Sequence, residues 1–66
     1  MTRFISRGIA AAGYEGGRLV IAFRNGGTYA YTGVPAAIAA QLLAAPSKGR
    51  YYQPFIRGRF PSVRIG

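Results

Sequence analysis

Sixty-six residues carrying nine Lys and Arg, one acid, no histidine and no cysteine are expected to make one small, strongly basic domain. A chain this short buries only about 60% of the surface it exposes when unfolded, and without cysteine neither a disulfide nor a thiolate zinc site can staple its core. The same absences remove His-based and paired-carboxylate acid–base chemistry, base-activated nucleophiles and metal hydrolysis, so the expectation is a binding protein, not an enzyme, with no catalytic residue, metal or cofactor.

Met1 to Arg7 is too short and too polar to be the apolar segment of a signal peptide, and residues 1–7 read as an extended tail. Gly8 to Tyr14 is a weak strand that ends at the turn Glu15-Gly16-Gly17. Arg18 to Arg24 is the clearest strand, with Leu19, Ile21 and Phe23 on one face and Arg18, Val20, Ala22 and Arg24 on the other. Asn25-Gly26-Gly27 is a hairpin signal, since Asn and Gly tolerate positive φ. Thr28 to Thr32, built of β-formers, is the third strand of an antiparallel meander.

The second half reads as helix. Pro35 suits a first helical position, where its missing N–H is not needed. Ala36 to Ala45 is alanine-rich, with Ile38 and Leu42 four apart as an apolar stripe and Val34 placed to staple against Ile38. Pro46 stops this helix and Ser47 is an N-cap for another. Gly49 weakens the second helix and Pro54 is expected to break or kink it. Ser47 to about Arg57 therefore reads as one or two helical turns closed by Gly58 in a left-handed cap. Arg59 to Gly66, with Pro61 inside, reads as a second extended tail. The longest apolar stretch, Val34 to Pro46, is interrupted by Gln41 and falls short of the roughly 20 residues that span a bilayer. A cytoplasmic location without membrane contact is expected. The fold class is α+β: a three-stranded antiparallel meander followed by an Ala-rich helix and a short second helix, packed on one sheet face.

This order of features resembles the KTSC domain. The residues that carry the likeness are Val20 to Phe23, Asn25-Gly26-Gly27, Tyr29-Ala30-Tyr31 and Gly33-Val34-Pro35. It continues through Leu42-Leu43, Ala45-Pro46-Ser47-Lys48-Gly49, Tyr51-Tyr52 and Ile56-Arg57-Gly58, and so covers about Ile9 to Ile65. Pro54 departs from the pattern, where a helix-compatible polar residue is expected. The family is named for its place at the C-terminus of some lysyl-tRNA synthetases and also occurs as a single-domain protein in bacteria and phages. The resemblance implies one KTSC-like domain over residues 1–66 and, through that fusion, an RNA context.

The register of the hairpin decides what Tyr29 and Tyr31 do. A two-residue Asn25-Gly26 turn would set them opposite Ala22 and Val20, on the outer face with Arg18 and Arg24. They would then form an aromatic platform flanked by guanidiniums, of the kind single-strand binders use. A three-residue Asn25-Gly26-Gly27 loop with a bulge would set Arg24 opposite Thr28 and Phe23 opposite Tyr29. A one-residue slip flips every side chain, so the tyrosines would join the core with their hydroxyls reaching its rim. The second glycine and the need of a small domain for buried rings favour the core.

Charge points to the partner. Eight of the nine cations are Arg, whose planar fork suits phosphate and stacks on rings. Ser47 to Arg64 holds Lys48, Arg50, Arg57, Arg59 and Arg64 with no acid. Tyr52 and Ile56, four apart and with Phe55 beside them, are expected to dock on the sheet, leaving Arg50 and Tyr51 to lean outward. The candidate nucleic-acid contacts are thus Lys48, Arg50, Tyr51, Arg57 and Arg59, with Arg18 and Arg24 from the sheet. Ser47, Lys48 and Gly49 could cradle a phosphate at a helix N-terminus, against the simpler reading that Ser47 only caps. The expected partner is RNA or another nucleic acid. With four or five phosphates engaged, affinity would fall on the order of 100- to 500-fold between 50 and 200 mM salt. The alternative is a protein-interaction module that self-associates or docks on an acidic partner through an edge strand.

Overall fold

Alternation of Leu19, Ile21 and Phe23 with Arg18, Val20 and Ala22 builds the central strand of the sheet, and the rest of the chain is arranged around it. The computed structural model describes residues 1–66. In chain order the elements are β1 (Thr2–Arg3), β2 (Ile9–Glu15), β3 (Arg18–Phe23), β4 (Gly27–Tyr31), α1 (Ala36–Ala44), α2 (Lys48–Phe55) and β5 (Ser62–Arg64). The five strands form one sheet in sequential order, each pair antiparallel. No helix is long and apolar enough to cross a membrane.

The expected three-stranded meander is therefore the middle of a five-stranded sheet, and the two expected tails supply its edges. Thr2 and Arg3 pair with Ala12 and Ala11. Ser62, Val63 and Arg64 pair with Tyr31, Ala30 and Tyr29. The backbone of β4 would otherwise have unpaired groups along one side. Pro61 does not interfere, because it precedes β5 and serves through its carbonyl, which accepts from Thr32 N at 3.0 Å. Strands of two and three residues are too short to show a period in the sequence.

The core lies on one face. Ile9, Ala12, Leu19, Ile21 and Tyr31 from the sheet meet Val34, Ala39 and Leu42 from α1 and its approach, and Ile56 after α2. Ile9 and Ala12 have opposite strand parity, yet both are buried. A bulge between Ile9 and Ala11 inserts the extra residue that turns both inward. Ala11, Gly13, Val20, Ala22 and Ala30 alternate with these positions, and neither helix covers their face.

The β3–β4 hairpin follows neither expected register. Phe23 pairs with Gly27 and Ile21 with Tyr29, so Arg24, Asn25 and Gly26 form the loop. This is a two-residue shift from the expected three-residue loop, and an even shift preserves the face. Tyr29 and Tyr31 are on the core side, as that reading had it. Gly27 adopts φ +89, and a Cβ there would come within 2.8 Å of Arg64 Nε and the Gly66 carbonyl oxygen. Only glycine lets the C-terminal residues close over the hairpin.

Pro35 is the N-cap of α1 and not its first helical residue. Ala45 closes α1 in an extended conformation, which Pro46 imposes on the residue before it. Ser47 caps α2, its hydroxyl accepting from Arg50 N at 3.4 Å. The expected break at Pro54 does not occur. Helix α2 runs through it to Phe55, because Pro54 falls in the last turn, where a missing N–H removes one bond only. Tyr52 O accepts from both Ile56 N and Arg57 N, and Gly58 turns the chain away at φ +72.

Candidate nucleic-acid interface

Tyrosine hydroxyls at the rim of the core open an aromatic cleft between the β3–β4 hairpin and the end of α2. Its volume is about 490 Å³, and its walls include Phe23, Tyr29, Tyr31, Tyr52 and Arg57. Strand parity brings Phe23, Tyr29 and Tyr31 to one face, and α2 lays Tyr52 across them. The rings meet edge to face: Phe23 with Tyr29 at 5.9 Å, Phe23 with Tyr52 at 5.2 Å, and Tyr31 with Tyr52 at 6.1 Å between centroids. Such contacts fix ring orientation as well as burying area. The hydroxyls of Tyr31 and Tyr52 are hydrogen-bonded to each other at 2.8 Å. Burial, reinforced by that bond to Tyr52, pushes the Tyr31 hydroxyl well above the ordinary tyrosine range, so it stays a neutral O–H.

The basic residues divide into those that serve the fold and those that remain available. Lys48 Nζ donates to Leu43 O at 2.9 Å and to Ala45 O at 2.5 Å, neutralising carbonyls at the end of α1. It also lies 4.8 Å from the centre of the Phe4 ring. Its charge is thus turned toward α1, away from the α2 amides that the phosphate reading of Ser47, Lys48 and Gly49 requires. Gly49 itself borders open space. Arg24 is held to the N-terminal segment, with Nε donating to Ser6 O at 2.6 Å and Nη2 to Phe4 O at 2.7 Å.

Arg50, Gln53 and Pro54 are exposed and follow at three- and four-residue steps, which places them on one face of α2, and the exposed Arg57 comes just beyond its cap at Ile56. Arg57 Nη1 donates to Gln53 Oε1 at 3.2 Å, and Arg57 also lines the cleft. Arg59 reaches back along the same helix end, with Nε donating to Pro54 O at 2.7 Å. Arg50 makes no side-chain hydrogen bond within the protein. Arg50 on α2 and Arg57 and Arg59 in the turn after it make up a basic stripe of exposed residues, of which Arg57 lines the aromatic cleft. Arg18 is not part of it. It starts β3, roughly 17 Å along the strand from Phe23, and its side chain has the parity of Val20 on the uncovered face. Glu15, the one carboxylate, pairs with Arg18 across the β2–β3 turn, at the far end of the sheet from the cleft.

Tyr51 does not lean freely outward. It is half-buried, its hydroxyl donates to Gln41 Oε1 of α1 at 2.6 Å, and its ring stacks on Phe55 at 4.6 Å. Phe55 was expected to dock on the sheet with Tyr52 and Ile56. It is instead 47% exposed, because a helix face wide enough for positions 52 and 56 turns position 55 to the side, over Tyr51.

Residues 5–60 match the KTSC domain family. The chain belongs to that family. A KTSC domain protein from Yersinia pestis, solved as a crystal structure, superposes with a TM-score of 0.94 at 37% sequence identity, covering 98% of this chain and 94% of that one. A protein from Tsukamurella paurometabola is 39% identical over 62 residues, which are 91% of this chain and 92% of its own. The lysine–tRNA ligases of Trichormus variabilis and Nostoc punctiforme are each 43% identical over 42 residues. That match spans 64% of this KTSC domain but only 8% of either ligase.

In this KTSC domain the three arginines of the stripe were candidates from the sequence alone, and the cleft beside them was not. The signal was present: Tyr29, Tyr31 and Tyr52 each carry a hydroxyl that a fully apolar core would leave unmatched. What the sequence lacked was the angle at which α2 crosses the sheet, which gathers these hydroxyls at one rim beside Arg57.

Proposed function

We propose that this KTSC domain binds single-stranded RNA, with Arg50, Arg57 and Arg59 on the phosphates and the aromatic cleft beside them. The observation that carries the reading is the position of Arg57, an exposed guanidinium at the mouth of a cleft walled by four aromatic rings, with no acid nearby. Single-strand binders combine these two features: a cationic track for the backbone and rings for the bases. At about 490 Å³ the cleft has no room for a paired helix, which hides its bases, so duplexes would meet only the stripe. The ligase relatives add context, since their name states that they join lysine to a tRNA and they carry a segment like this one. Nucleic acid is the expected partner and binding, not catalysis, the expected activity.

The test is fluorescence anisotropy with a labelled ten-nucleotide single-stranded RNA, duplex RNA and duplex DNA at equal salt. The expected result is micromolar binding to the single strand and at least about tenfold weaker binding to both duplexes, as loss of base contacts implies. Equal binding to all three would mean that charge alone acts and would remove the proposal.

A second reading, protein interaction, is favoured by a different surface. The uncovered sheet face is bordered by Met1, Val63 and Ile65, which are 67%, 62% and 48% exposed, and β5 leaves one backbone edge unpaired. An acidic strand could add there. Sedimentation of the pure protein together with pull-down through this face would separate the readings: a strict monomer that retains no partner removes the second.

A further inference from the structure

Hydroxyl groups in the cleft outnumber their hydrogen bonds. Tyr31 and Tyr52 together carry two O–H protons, but the bond between them uses one, whichever residue donates. The other proton has no protein acceptor. The Tyr29 hydroxyl makes no hydrogen bond within the protein, although the ring is half-buried. Arg57 gives one N–H to Gln53 and keeps four. Asn25 and Ser62 complete the polar lining. No carboxylate lines it, so the cleft is a donor-rich aromatic recess whose one side-chain carbonyl acceptor is the Asn25 amide.

Its size is also selective. About 490 Å³ lies within the range of roughly 300–1,000 Å³ typical of small-molecule sites, and is enough for one nucleotide unit but not for a stretch of stacked bases. A planar ring with carbonyl oxygens would lie against Tyr29 and Phe23, accept from the tyrosine hydroxyls and leave its phosphate at the mouth. There Arg57 presents a forked guanidinium matched to phosphate geometry.

We infer that the cleft between the β3–β4 hairpin and the end of α2 is a single-nucleotide site, which takes one unstacked base among Phe23, Tyr29 and the Tyr31–Tyr52 pair and holds its 5′-phosphate on Arg57. This inference deepens the RNA reading, from which it takes the class of ligand. It assigns the stripe and the cleft different tasks: Arg50 and Arg59 follow the strand, and the cleft selects one position in it.

The experiment is a titration of the ¹⁵N-labelled full chain, followed by amide shifts, with uridine 5′-monophosphate, uridine, inorganic phosphate and a ten-nucleotide oligouridine. Uridine monophosphate is expected to move the amides of Gly8, Gly26, Arg57 and Gly58, and uridine the same set more weakly. Phosphate alone should move only those of Arg57 and Gly58. Arg57→Gln is expected to weaken the monophosphate about tenfold, the loss of one charge-assisted bidentate contact, while changing uridine little. Tyr29→Phe removes a hydroxyl that bonds nothing in the protein, so the fold is kept. It is expected to weaken both ligands about fivefold, one neutral hydrogen bond. Oligouridine binding with the cleft amides unmoved would overturn the cleft and leave the RNA reading standing. Monophosphate binding in the cleft without oligouridine binding would remove the RNA reading and keep the site as one for a free nucleotide. Shifts from inorganic phosphate equal to those from the monophosphate would overturn the base contact.

Discussion

Salt dependence measures how many of the nine cations act on a strand, and the proposed RNA reading implies a definite number. Lys48 and Arg24 are bound to backbone carbonyls of the fold, and Arg18 lies at the far end of the sheet. Arg64 donates to the Gly66 carbonyl, Arg3 and Arg7 belong to the N-terminal segment, and the RNA reading sets Arg50, Arg57 and Arg59 on the phosphates. Three phosphates on a single strand give a slope of log affinity against log salt of about −2.1, from roughly −0.7 per phosphate. Between 50 and 200 mM salt the affinity then falls about 20-fold, far less than four or five phosphates on a duplex would imply. Arg57→Gln should reduce the slope to about −1.4 and the fall to about sevenfold, by the same relation. Arg18→Gln removes an identical charge at a distance and should leave the slope unchanged. Anisotropy with a ten-nucleotide RNA at four salt concentrations reads each value. A wild-type slope steeper than about −3, or equal loss in the two variants, would show that charge acts diffusely and that the stripe has no special role.

The structural cations and the core make separate predictions. Lys48→Met loses two bonds to the end of α1 and the contact with Phe4, so thermal melting should show a loss of about 1–2 kcal/mol with the RNA salt slope unchanged. Ile56 is fully buried, and Ile56→Ala should cost about 2–5 kcal/mol. That is comparable with the roughly 3–10 kcal/mol expected for a domain of this size, so urea titration should find the variant largely unfolded, whereas Ile56→Val should fold. Tyr31 keeps its proton in the folded state above the ordinary tyrosine value, whereas the unfolded chain releases it near pH 10. Deprotonation thus favours the unfolded state, and stability is intact below about pH 10 and falls as pH rises beyond it. Tyr31→Phe should lose part of that alkaline decline in denaturation midpoints measured from pH 8 to 11. Removing residues 62–66 uncovers the β4 edge and should lower the melting temperature and promote aggregation.

Elements with their own period or punctuation were legible in the sequence. Strand β3 showed its two faces through Leu19, Ile21 and Phe23, and α1 was bounded by Pro35 and Pro46. Ser47 announced a cap that its hydroxyl makes. The outer strands were not legible, because β1 and β5 have two and three residues and owe their conformation to neighbours already in place. Pro61 looked like a reason against a strand, and it stands just outside one. The hairpin register illustrates the limit of turn rules. Asn25-Gly26-Gly27 admits several loops, and the close approach of Gly66 and Arg64 to Gly27, invisible locally, accompanies the one adopted.

The site was half legible for a related reason. A count of cations treats every charge as facing outward, yet helix ends and loops have carbonyls that need donors, and this Arg-rich chain meets part of that need with Arg and Lys. Lys48 on α1 and Arg24 on the N-terminal segment are of this kind, with two bonds each, whereas Arg59 gives only its Nε to Pro54 and keeps both terminal nitrogens. Charge is therefore a poor guide to which cations bind a ligand until the carbonyls are assigned. Arg57 differs, since its partner is the neutral side chain of Gln53, which orients the guanidinium without using up its fork. The tyrosines follow the same logic in reverse. Their rings were needed in the core, and this placed their hydroxyls at its rim, where an excess of donors meets Arg57. A surface rich in donors thus arises from burying aromatic rings that carry hydroxyls, in a chain with one acidic side chain to answer them.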